Sequence, residues 1–167
     1  MISRSASAAT RLSAALLCLI AACGGSADPA KLTDEGYAAL GKSDWKGAQA
    51  DFNSALETLK PSDPGYLRAK MGWIEAAIYT EPGKAKDEFL ALAAGMSPQV
   101  KSSDYISVAS KLTGERKFSE AIAVLESGLK AHSEDPKVRA VGEAIKKAAE
   151  KAGDNASLEA LKSLGYL

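Results

Sequence analysis

Small and large apolar residues recur along this chain at steps of three and four. The clearest run is Gly114, Phe118, Ala121, Leu125 and Gly128. The same spacing appears at Gly41, Trp45, Ala48, Phe52 and Ala55, and more weakly at Gly153, Ser157, Ala160, Leu164 and Leu167. A partial copy stands at Ala85, Phe89 and Leu92. Such steps place the residues after the leading glycine on one face of a helix. The glycine falls just before that helix, where the preceding helix is expected to end in a left-handed cap. The pattern's alanine recurs at 48, 85, 121 and 160, at intervals of 37, 36 and 39 residues. A recurrence of this length marks a stacked repeat.

Prolines supply a second period. Asp28-Pro29, Asp63-Pro64, Ser97-Pro98 and Asp135-Pro136 each set a capping side chain before a proline, at intervals of 35, 34 and 38 residues. That pair suits an N-cap followed by the first helical position, where the missing N–H is not needed. Each proline is therefore expected to open the first helix of a two-helix unit. The expected helices are Ala30 to Leu40, Trp45 to Leu59 capped by Asp44, Gly65 to Thr80 stopped by Pro82, and Lys84 to Ala94. Residues 97–103 read either way, with a helix opened by Pro98 or by the Ser103-Asp104 cap. A helix to Leu112 follows, then Phe118 to about Ala131, Pro136 to Ala152 and Asn155 to Leu164.

The composition suits an all-helical chain of 167 residues, 46% hydrophobic and only 6% aromatic, with abundant alanine. Basic and acidic residues balance at 21 each. No basic field is available to hold a nucleic-acid backbone, so nucleic-acid binding is set aside.

Residues 1–22 read as a targeting segment. Arg4 and Arg11 form a positive start, and Leu12 to Ala22 is an apolar stretch well short of the roughly 20 residues that span a bilayer. It ends Leu19-Ile20-Ala21-Ala22-Cys23, which resembles the bacterial lipoprotein signal. The resemblance implies cleavage before Cys23, a diacylglycerol thioether on its sulfur and acylation, palmitate included, of the new amino terminus. It also implies a cell-envelope position, on the outer membrane facing the periplasm, because Gly24 replaces the aspartate associated with inner-membrane retention. Residues 23–28 would be the lipidated cysteine and a short tether, and residues 29–167 the folded domain. Cys18 would leave with the leader, so the mature chain would hold neither a free thiol nor a disulfide.

Catalytic and metal chemistry find little support. His132 is the single histidine and falls at a predicted helix end, where an exposed histidine favours the carbonyl dipole. The acidic pairs Asp34-Glu35, Asp87-Glu88 and Glu134-Asp135 lie near predicted helix starts. The glycines match no phosphate-binding loop. No enzyme activity and no cofactor or metal is expected.

The helix pairs resemble tetratricopeptide repeats, modules of about 34 residues in which small residues let two helices approach and bulky ones fill between layers. Gly36, Trp45, Ala48, Phe52 and Ala55 carry the likeness in the first unit, and Ala109, Phe118, Ala121, Leu125 and Gly128 in the third. Unit two departs, with Pro82 in the aromatic's place and either Gly72 or Trp73 as the small residue. Unit four lacks the aromatic and fits a capping role. Related helix-pair repeats remain an alternative. The resemblance implies a right-handed α-solenoid of about three and a half helix-turn-helix repeats. It further implies a surface of first helices that binds a protein or peptide through Thr33, Tyr37, Leu40, Lys70, Ile74, Ser107, Ser110 and Lys146. The resulting expectation is a non-enzymatic adaptor or assembly scaffold; the alternative is a helical lipoprotein that binds small molecules or cell-wall fragments.

Overall fold

The computed structural model describes residues 28–166, and the leader and the lipidation motif at Cys23 lie outside them. Eight helices make up the described chain: α1 (Pro29–Leu40), α2 (Trp45–Leu56), α3 (Tyr66–Thr80), α4 (Pro82–Gly95), α5 (Ser102–Gly114), α6 (Phe118–Ala131), α7 (Pro136–Ala152) and α8 (Asn155–Ser163). The fold is all-α. No helix among the described residues is long and apolar enough to cross a membrane.

Helix starts follow the expected chemistry at four of eight places. Carboxylates of Asp28, Asp44, Asp135 and Asp154 accept N–H bonds from Ala30, Gly47, Lys137 and Ser157, at 2.9 to 3.1 Å. Pro29 and Pro136 then stand at the first helical position of α1 and α7. The proline rule fails at the other two sites. Asp63 turns its carboxylate to the N–H of Lys60, and α3 begins only at Tyr66. Pro98 follows a cis peptide bond, and α5 starts at Ser102, with Asp104 accepting the N–H of Lys101. Pro82 both stops α3 and opens α4. It holds the first helical position that Trp45 and Phe118 hold in α2 and α6.

The expected left-handed glycine caps are corrected as well. Gly41 is right-handed, and Gly114 is the last residue of α5. The left-handed residues are Ser43 (φ 58°) and Arg116 (φ 57°), two positions later, with Gly153 (φ 70°) and Gly165 (φ 87°) as the glycines that do take this role. In each turn the next N–H returns to the carbonyl five residues back: Asp44 to Ala39, Lys117 to Leu112, Asp154 to Ala149 and Tyr166 to Leu161. One backbone turn is thus used four times, with serine, arginine and twice glycine at its left-handed position.

Packing puts the repeated apolar face inside. Ala48, Phe52, Ala55, Ala85, Phe89, Ala109, Ala121 and Leu125 are all buried. Phe52 meets Tyr37 edge-on at 5.1 Å, and Phe89 meets Tyr105 the same way at 5.0 Å. Trp45 stacks on Tyr79 at 3.9 Å. Gly36 and Gly72 both lie against Phe52, and Gly128 lies against Tyr105, so of Gly72 and Trp73 it is Gly72 that makes the close approach. Each large buried side chain contributes about 1.5–3 kcal/mol through burial. The fourth copy of the pattern holds only in part: Ser157 is buried as its spacing implies, but Ala160 is exposed and Leu161 is buried in its stead.

Neighbouring helices pack in pairs, α1 with α2, α3 with α4, α5 with α6 and α7 with α8, and α2 and α6 also pack on the helix that follows. The odd helices touch in the order α1, α3, α5, α7. At the middle joint α4 packs on α6 rather than broadly on α5.

Candidate functional site

The odd helices α1, α3 and α5 enclose a groove of about 180 Å³. Tyr37 is its contribution from α1. Its hydroxyl donates to the Arg68 carbonyl of α3 at 2.9 Å, which fixes the ring between the two helices. The Arg68 guanidinium lies 4.8 Å from the ring centre and pairs with Asp34 of α1 at 2.8 Å. Burial is the main cause that raises the Tyr37 phenol above its ordinary pKa; Arg68 opposes the shift and Glu75 adds to it.

From α3 come Met71, Glu75 and Ile78, one helical face at steps of four and three. From α5 come Asp104, Ser107, Val108 and Lys111. Ile78 and Val108 are buried and make an apolar floor. Lys111 Nζ spans the groove to Glu75 Oε1 at 2.7 Å, both side chains being about one-third exposed. The arrangement is amphipathic, with aromatic, thioether and aliphatic surface between hydrogen-bonding groups. Such a lining can hold an extended segment by apolar contact and orient it through polar contacts.

Two of the eight residues expected to bind a partner line this groove, Tyr37 and Ser107. Thr33 is buried and its hydroxyl donates to the Pro29 carbonyl at 2.7 Å, so it serves α1 itself. Leu40 and Ile74 are buried in the core and are unavailable. Lys70 turns to α4, where it pairs with Glu88 at 2.7 Å and lies 5.3 Å from the Trp73 ring centre. It lines a separate cavity of about 260 Å³ with Tyr66, Leu92 and Met96. Ser110 is exposed and Lys146 half-buried, and neither lines the groove.

No family model, curated protein or solved structure matches this chain.

The groove residues missed by sequence reasoning are Met71, Glu75, Ile78, Asp104, Val108 and Lys111. A signal for three of them was present: Met71 stands 36 residues before the expected Ser107, and Glu75 stands 36 before Lys111, one of the intervals of the alanine pattern. Lys70 and Ile74 are each one residue too early in α3, and one residue turns a helical side chain by about 100°. His132 is half-buried, edge-on to Tyr105 at 5.4 Å, rather than a free exposed imidazole. Among the described residues no group of three or more His, Cys, Asp and Glu side chains is arranged to hold a metal ion.

Proposed function

We propose that this chain is a non-enzymatic envelope lipoprotein, anchored through Cys23 on the outer membrane and facing the periplasm, that recruits a protein or peptide segment as an adaptor. Its helix pairs form a tetratricopeptide-like stack, and the partner lies in the groove of α1, α3 and α5. The observation that carries this reading is the convergence of Tyr37, Met71, Glu75, Ser107 and Lys111 from three helices on one amphipathic groove. The contacts of successive odd helices support the stack, and the buried alanine and phenylalanine positions support the repeat. The sequence Leu19 to Cys23 supports the anchor.

The test is a photo-crosslinking residue at position 107 in intact cells. A protein adduct that is lost on Tyr37→Ala and on Lys111→Glu, and that re-forms with the purified partner, supports the adaptor. Adducts to lipid alone, or adducts indifferent to both substitutions, overturn it. The anchor is tested separately by the intact mass of the mature protein. The reading requires a diacylglycerol adduct that Cys23→Ser abolishes.

A further inference from the structure

A second cavity, of about 340 Å³, opens between the α5–α6 turn and the end of α7. Its wall is apolar where Phe118, Ala148 and Ala152 meet, and Phe118 is buried. Its charged groups are two cations, Arg116 and Lys151, both exposed. Neither forms an ion pair among the described residues. The acids beside them in sequence, Glu115 and Glu150, do not line the cavity.

Arg116 is also held at a backbone position that an L side chain avoids, with φ 57°. The matching position of the α7–α8 turn carries Gly153 at φ 70°, so the turn is compatible with glycine. A glycine there would relieve the backbone but remove a guanidinium from the cavity. The amino end of α6 begins at the same cavity, at Phe118, and its partial positive charge is opposed by the carboxyl ends of α5 and α7, so the attraction for an anion rests on Arg116 and Lys151.

We propose that this cavity binds an anion bearing a short apolar group, a phosphate or carboxylate head on an alkyl or aryl stem. Arg116 and Lys151 take the head, with the planar guanidinium engaging two oxygens at once. Phe118, Ala148 and Ala152 take the stem. The cavity volume fits a small ligand. A free metabolite and a phospholipid headgroup share this chemistry.

The probe is hexyl phosphate, titrated into the folded domain while amide resonances are followed by NMR. Localised shifts at Gly114, Phe118, Ala148 and Ala152 are expected, with no comparable response to hexylammonium. Arg116→Gln with Lys151→Gln should weaken binding at least tenfold. Arg116→Gly should raise the melting temperature while weakening binding, a combination that a purely structural arginine would not produce. Absence of localised shifts at 10 mM, an equal response to hexylammonium or unchanged affinity in the folded double variant would overturn the proposal. Co-sedimentation with phosphatidylglycerol vesicles but not phosphatidylcholine vesicles, lost in the double variant, assigns the headgroup source. Binding of hexyl phosphate without vesicle binding assigns a free ligand.

Discussion

The Phe52 ring occupies the space that a side chain on Gly72 would need: a Cβ there would lie 2.5 Å from ring Cε1. Gly36, on α1, meets the same ring from the preceding helix, with a Cβ at 2.7 Å from Cε1. One phenylalanine on α2 therefore sets how closely α1 and α3 approach. Gly72→Ala must push a fully buried ring aside and is expected to cost about 1–3 kcal/mol. Gly83, in α4, has open space around its Cα, so Gly83→Ala is expected to be neutral or to gain up to about 1 kcal/mol from helix propensity. Urea unfolding of the two variants side by side checks the pair. Equal midpoints would mean that Gly72 is not a contact point.

Ser43 makes a left-handed turn with a side chain that disfavours it. Ser43→Gly is expected to stabilise by about 0.5–1 kcal/mol, after allowing for glycine's greater freedom when unfolded. Gly153→Ala, at the matching turn, is expected to lose a similar amount. Thermal melts of both variants should move in opposite directions.

Much of the helical core was legible because burial imposes a strict period. Ala48, Phe52, Ala85, Phe89, Ala121 and Leu125 are inside as their spacing implies. The turns were legible only where one side chain controls them, as at Asp28, Asp44 and Asp135. Asp63 and Pro98 carry the same local signal but open no helix: the Asp63 carboxylate accepts the Lys60 N–H, α3 begins at Tyr66 and α5 at Ser102. The groove was harder to read. Its position depends on the α3 register, and the short α3–α4 connection at Glu81 conceals that register by a single residue. Ala160 fails for a related reason, since α8 packs through Leu161 and is followed by a returning Tyr166.

Lys111 and Glu75 form the cross-groove ion pair between α3 and α5 at 2.7 Å. Being about one-third exposed, the pair is expected to contribute no more than about 1 kcal/mol to stability. A double-mutant cycle with Glu75→Gln and Lys111→Met measures that coupling. The same variants should alter partner capture far more than they alter melting temperature. Large destabilisation with unchanged capture would make the pair a structural clasp.

Tyr166 closes the carboxyl end of the fold by lying on Gly142 of α7, where any side chain would collide with its ring. Its hydroxyl is buried with no hydrogen-bond partner among the described residues. Burial raises its pKa above the ordinary 10.0, with Arg139 opposing and Glu143 adding to the shift. Tyr37 and Tyr79 are raised as well, burial again being the largest cause. A phenol with a raised folded pKa keeps its proton longer when folded. Its contribution is therefore intact below about pH 10 and falls as pH rises through the folded value. The melting temperature is expected to decline from about pH 10 upward on account of these three groups. Tyr166→Phe removes an unsatisfied buried hydroxyl, so it should be neutral or stabilising at pH 7 and should flatten part of the alkaline decline. Tyr166→Ala should lose about 2–4 kcal/mol, because it empties the space over Gly142. Calorimetry between pH 7 and 11 on the three proteins checks this. A Tyr166→Phe variant that is destabilised at pH 7 would show that the hydroxyl has a partner after all.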